Sequence, residues 1–220
     1  MRIGQTYLLS SNELNLIAAA SGMDKFLMFD SQLQNDRGTQ MQSVFRLLTD
    51  GLLISKDSSI TPSPSLVPLL GAFKSASTAI VARLTSCEAA PICIYYGDSG
   101  EKFLRIVPHT QKADTYEVGM TSLNDLLDDL EALHFLPVLR NWKTDSFGRQ
   151  EDSTAIIDGL SDTSHSVFEK IDLSTQALIA RASIIQTSSA WVLFSGLESD
   201  AERINYSRDI FITWLKGEKL

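Results

Sequence analysis

The chain reads as an α+β protein: a central antiparallel sheet with helical clusters, built as a quasi-two-fold repeat of strand-strand-helix units. Two observations predict this. Short runs rich in β-branched and aromatic residues recur along the chain, separated by turn residues. In each half those runs end in a Ser-capped amphipathic helix. A duplicated unit of this kind can pool its strands in one antiparallel sheet that the helices cover. A third observation sets the scale. The chain has 220 residues, 44% hydrophobic and 21% charged, ordinary values for a globular protein with a full core. They predict one domain over 1–220, with pseudo-repeated halves at about 1–140 and 150–220.

The elements follow in order. Ile3, Tyr7 and Leu9 suit a strand that runs directly into Ser10 and Glu13, the two ends of a capping box. Leu14, Ile17 and Ala18 mark one helical face, and Gly22 is a stop. Thr39 and Gln42 open a second helix with a broad apolar face of Met41, Val44, Phe45, Leu47 and Leu48, closed by Gly51. A Ser/Pro-rich turn over 56–65 leads to a third helix over 66–74, with Pro68 in its first turn.

The first repeat copy spans 78–134, with strands at 79–84, 92–96, 103–107 and 116–118. It closes with a helix over 123–134 that carries Leu123, Leu126, Leu127, Leu130, Leu133 and His134 on one stripe. Ser122 and Asp125 cap that helix and Pro137 stops it. The polar stretch 140–166 is the best linker candidate, with Ala155 to Leu160 able to hold a short helix. The second copy has strands at 167–173, 178–185 and 191–194. A last helix starts at Ser199 with Glu202 as its box partner, and Ile204, Phe211, Trp214 and Leu215 form its buried stripe.

Charge and cysteine usage narrow the function classes. A net charge of −8 opposes non-specific nucleic-acid binding and favours a basic or neutral partner. No run approaches the roughly 18 apolar residues of a membrane span, and the N-terminal residues lack signal-peptide character. The expected location is the cytoplasm, without membrane insertion. Cys87 and Cys93 are too few for a disulfide framework, and with His109, His134 and His165 scattered they give no zinc pattern. Both read as buried thiols.

Three motifs carry residue types that could support chemistry. Gly97-Asp98-Ser99-Gly100 copies the residues around a serine-protease nucleophile, but the reaction needs a His and an Asp to converge on the Ser. Between two strand runs, the same residues are hairpin-turn chemistry. Asp125, Asp128, Asp129 and Glu131 share part of a helix surface, as metal ligands would. The Leu stripe opposite explains them as a solvated face. The helices between Thr39 and Lys74 imitate a winged-helix module, yet the second carries only Lys74 as a basic residue. No catalytic residue, cofactor or metal is expected, and the chain reads as a non-enzyme.

The order of elements resembles a known family. The pattern is a leading strand, a capped helix with Glu13-Leu14-Asn15-Leu16, then a helix ending in Leu47-Leu48-Thr49-Asp50-Gly51-Leu52-Leu53. A short Pro-containing helix and a strand-rich block follow. Over nearly its whole length the chain looks like the EspG family, cytosolic chaperones of type VII (ESX) secretion systems, although it is shorter than typical mycobacterial members. The resemblance implies an antiparallel sheet with helical clusters. It also implies a protein client, a secreted helical substrate such as a PE/PPE pair or a relative, kept soluble before export. A groove that shields an apolar helical tip permits this physically. The turn Asp98, Ser99, Gly100 and Glu101 is the expected partner-binding site: loops on a rigid scaffold carry binding, and the resembled family uses a sheet-proximal loop for its client. The alternative is an immunity or adaptor protein that binds and neutralises a secreted toxin, for which an acidic surface suits a basic target.

Overall fold

Strand-forming runs from both sides of the predicted linker enter one sheet. The structure, a computed structural model, describes residues 3–23, 37–85, 92–97, 102–137, 164–186, 191–196 and 202–218. The order of elements begins β1 (Ile3–Ser10), α1 (Ser11–Ala20), α2 (Arg37–Thr49), β2 (Leu53–Lys56), β3 (Ser59–Pro62) and α3 (Val67–Ser75). Strands β4 (Thr78–Leu84), β5 (Cys93–Gly97), β6 (Lys102–Pro108) and β7 (Thr115–Ser122) then lead into α4 (Leu123–Ala132). Strands β8 (Ser164–Asp172), β9 (Leu178–Gln186), β10 (Trp191–Ser195) and β11 (Glu202–Asn205) lead into α5 (Arg208–Lys216).

The large sheet is nine-stranded, in the order β1-β7-β6-β5-β4-β8-β9-β10-β11, and every pairing in it is antiparallel. At its centre β4 pairs with β8 from Thr78↔Asp172 to Leu84↔Ser166. Running outward from that pair, β4–β7 and β8–β11 are each a four-strand meander followed by a helix. Period-two alternation then divides the core by face. Ala79, Val81, Ile94, Tyr96, Leu104 and Ile106 pack under α1–α3. Ile80, Ala82, Tyr95, Phe168, Ala182 and Ile184 pack under α4 and α5.

Local chemistry explains the element ends. Ser10 accepts from the Glu13 amide while the Glu13 carboxylate accepts from the Ser10 amide, so the expected capping box is present. Ser122 caps α4 through the Asp125 amide. Gly97 ends β5 where the Phe103 ring lies 2.5 Å from the position a Cβ would take, so only glycine fits there.

Five expectations are corrected. The Ser/Pro-rich stretch is not only a turn: β2 and β3 form a hairpin in which Leu53 faces Pro62. Asp57 and Ser58 both take positive φ, 51° and 63°, which closes a tight hairpin between the β-branched residues Ile54 and Ile60. Met41 and Phe45 are exposed rather than part of the buried face of α2, because Leu47 sets that face and the two lie a third of a turn or more away. Helix α4 stops at Ala132 instead of reaching His134, which sits at φ 63° and turns Phe135 back into the core ahead of Pro137. The last helix does not include Glu202 or Ile204; both lie on β11, and Ser207 caps α5 by accepting from the Ile210 amide. The predicted linker overlaps β8, which already begins at Ser164.

Candidate partner-binding surface

Alternation along β4, β8 and β9 puts charged side chains on the sheet face that α1–α3 cover elsewhere. Arg83 lies opposite Val167, and Glu169 lies between Val81 on one side and Arg181 on the other. The row continues outward: Val167 faces Ser183, Ser183 faces Phe194, and Phe194 faces Arg203 on the outermost strand. Within this array Arg181 Nη2 donates to Glu169 Oε1 at 2.7 Å, and Arg83 Nη2 stands 3.5 Å from Glu169 Oε2. One carboxylate is thus gripped from two strands. The Glu169 side chain is 13% exposed, whereas those of Arg83 and Arg181 are 39% and 42% exposed. The acid sits low on the sheet and the two guanidinium groups rise over it. A cross-strand ion pair of this kind stabilises a sheet by roughly 0.2–1 kcal/mol, so its larger consequence is the surface it presents.

Beside this charge array lies apolar surface. Ile179, which the β8–β9 pairing skips where its register shifts, is exposed. Further along, Ile185, Val192 and Phe194 form a small buried cluster separate from the two main cores. Part of the signal for this surface was available in the sequence: Arg83 and Arg181 are single charges inside largely apolar strand runs, whereas Glu169 lies in a strand that also carries His165, Lys170 and Asp172.

The opposite face is closed by chemistry the charge pattern alone did not reveal. Arg105 on β6 is almost fully buried and forms ion pairs with Glu117 on β7 and Asp129 on α4. Burial acts to lower its pKa, but the hydrogen bond and charge of Asp129, aided by Glu117, outweigh it and hold the pKa above the usual value. Burial pushes the neighbouring Cys93 thiol and Tyr95 hydroxyl well up, so both stay neutral. The acidic residues of α4 are therefore not a plain solvated face. Asp129 holds Arg105, Asp128 and Glu131 receive Arg208 from α5 at 2.8 and 3.1 Å, and Asp125 accepts from the Ser122 hydroxyl at 2.8 Å. Among the described residues no group of three or more His, Cys, Asp or Glu side chains is placed to hold a metal ion.

The expected contact residues Asp98, Ser99, Gly100 and Glu101 lie outside the described residues, between the end of β5 and the start of β6. Cys87 lies outside them too, and Cys93 is a buried free thiol, as expected. Among the described residues no helix is long and apolar enough to cross a membrane.

Comparison with known proteins places the fold. No family model matches the chain, and no curated protein matches it in sequence. A solved structure does match in shape: the Mycobacterium tuberculosis type VII secretion system chaperone EspG5, in complex with a PE25-PPE41 dimer. It aligns with a TM-score of 0.55 over 96% of this chain and 95% of that one, at 6% sequence identity. At that identity the likeness is one of fold, and the α+β architecture of this chain is similar to that of a type VII secretion chaperone.

Proposed function

We propose that this chain is a non-enzymatic cytosolic chaperone or adaptor, folded as one domain over its length, that binds a helical client of a type VII secretion system before export. What carries the reading is the extent of the fold likeness, which runs through nearly all of both chains rather than through one common subunit of the sheet. The neighbour was solved holding a protein dimer, and a protein client is what this reading takes from it. The broad sheet with one face closed by α4 and α5 suits the role, since a rigid scaffold can hold an apolar client surface away from water without changing it. Residues Asp98, Ser99, Gly100 and Glu101 belong to the proposed contact, with Ser99 doing no chemistry.

The test is affinity purification of the tagged chain from its native cytosol, with identification of what is bound. A helical secreted substrate, recovered at equal stoichiometry and lost once export proceeds, is the expected result. Recovery of an enzyme whose activity the chain blocks would instead establish the immunity reading. The double reversal Asp98→Lys with Glu101→Lys should weaken the recovered complex without lowering the melting temperature, and unchanged binding would move the contact away from those residues.

A further inference from the structure

We propose that the Glu13–Arg46 ion pair guards the outer edge of the nine-stranded sheet: it occupies the backbone groups through which β1 would pair with β1 of a second copy of this chain. The inference does not depend on the client-binding reading. Among the described residues β1 is an outermost strand of the sheet, and the starting point is the direction in which it turns its backbone.

The His109 amide donates to the Thr115 carbonyl at 2.7 Å, so Thr115, and with it Glu117 and Gly119, turns its backbone groups toward β6. Tyr116 and Val118 turn theirs toward β1, where Leu9 and Tyr7 lie opposite them. Leu8 and Ser10 alternate with those two residues, and their N–H and C=O groups point away from the sheet. On that side stand two side chains from the helical layer. Arg46 Nη2 donates to the Leu8 carbonyl at 3.2 Å, and the Glu13 carboxylate accepts from the Ser10 amide at 2.8 Å. The two are joined to each other, Arg46 Nη1 standing 3.2 Å from Glu13 Oε1. A donor for one carbonyl and an acceptor for an amide two residues on are what a neighbouring strand would present. Here an ion pair presents them.

The sequence of β1 shows why the edge needs a guard. From Ile3 to Ser10 the strand carries no charged residue and no proline, the usual protections of an edge. The opposite edge differs, since β11 is only four residues long and holds Glu202 and Arg203. Leu8 also keeps its side chain 37% exposed. A two-fold axis through Leu8 would set the N–H and C=O of each copy's Leu8 against the other's, with both exposed side chains on one face of the joined sheet. This self-complementarity commits the occupant to a second copy. Arg46 is the part an incoming strand has to displace, because its side chain is 52% exposed whereas that of Glu13 is 2% exposed. Asp50, one helical turn on, holds Arg46 Nε at 3.6 Å.

The experiment follows the full chain by sedimentation velocity over a range of concentrations. Arg46→Ala should self-associate at least about tenfold more tightly than the parent, since each copy loses a charge-assisted hydrogen bond that competes for the edge. The product should be a discrete particle of twice the parent's mass. Adding Leu8→Pro to Arg46→Ala should restore the parent's behaviour, because proline removes the N–H that a second strand would use and is tolerated at a sheet edge. Exchange of the Leu8 amide with solvent, followed by NMR, gives a readout that does not need the proline variant: in Arg46→Ala it should slow as concentration rises. An Arg46→Ala chain that sediments like the parent, a dimer that survives Leu8→Pro, or Leu8 exchange indifferent to concentration overturns the proposal. Polydisperse aggregates in place of a discrete dimer overturn it as well, because the guanidinium group would then serve the stability of α2 rather than the edge.

Discussion

Helices α4 and α5 hold equivalent places, each closing a four-strand meander on the same face of the sheet, yet they are fastened by different chemistry. Both bury a stripe: Leu126, Leu127 and Leu130 on α4, Phe211, Trp214 and Leu215 on α5. Beneath α4, however, the sheet offers a buried arginine, and Arg105 ties the helix to β6 and β7 through Asp129 and Glu117. Beneath α5 it offers an aromatic. Phe168 meets Phe211 edge-on at 4.7 Å, and Phe211 stacks on Trp214 at 5.6 Å. The difference teaches that a place in the topology fixes that a helix must be held, not how. Ion pairs add direction, fixing the register of α4 on the sheet, whereas aromatic contact adds area and tolerates small shifts.

The comparison is broken most directly at its two centres. Arg105→Ala should destabilise by about 3–5 kcal/mol, because Glu117 and Asp129 lose their counter-charge in a partly buried site. Phe211→Ala should cost about 3–5 kcal/mol through lost contact and the cavity left behind. Urea unfolding measures both. What separates them is rescue. The triple change Arg105→Met, Glu117→Leu, Asp129→Leu should return to within about 1 kcal/mol of the parent or exceed it, since an apolar set carries no desolvation penalty. No such exchange restores Phe211→Ala without restoring its volume. A triple variant as unstable as Arg105→Ala would mean that the charges themselves, rather than their mutual compensation, fasten α4.

This contrast also marks what was legible in sequence. Strands in both meanders were readable because each combines β-branched content with local turn residues, and the Ser10–Glu13 box and the Leu stripe of α4 are signals contained within one element. The hairpin β2–β3 was missed because Ser and Pro outweigh the β-branched pair Ile60 and Thr61 in so short a stretch. Glu202 and Ile204 were misread because a spacing of three from Ser199 imitates a cap, while their real partners, Ser195 and Leu193, belong to another strand. The same limit hid the arginine face. That Arg83, Glu169 and Arg181 are charged was plain, but their meeting depends on the β4–β8–β9 register, which no local pattern encodes.

A smaller effect tests whether the two helices are fastened to each other. Arg208 at the start of α5 reaches Asp128 and Glu131 on α4. Its side chain is 37% exposed and that of Asp128 is 65% exposed, so solvent screens much of the attraction. Arg208→Ala should therefore cost only about 0.5–1 kcal/mol, and the loss should fade in high salt. A cost that persists at high salt would show that the side chain acts by packing.

The smallest effect concerns acid, and it separates the two meanders by their titrating groups. On the α4 side the Asp125 carboxyl is held below its usual range by the Ser122 hydroxyl. On the α5 side Asp172, in the turn between β8 and β9, accepts from the amides of Ser174 and Thr175 at 2.9 and 2.8 Å and from both hydroxyls. The Ser174 hydroxyl, followed by the Thr175 amide and hydroxyl, lowers its carboxyl from 3.8 to about 2. The sign follows from linkage: between those values the unfolded chain binds the proton and the folded chain does not, so stability rises with pH there. The contribution is complete above the unfolded value of 3.8 and is lost as pH falls through about 2. Asp172→Asn keeps an oxygen acceptor for the turn amides but does not titrate in this range. Melting temperature followed from pH 5 down to pH 2 should fall less steeply in that variant than in the parent, with the residual slope belonging to groups such as Asp125. Parallel curves would mean that the β8–β9 turn is not held by the charge of Asp172.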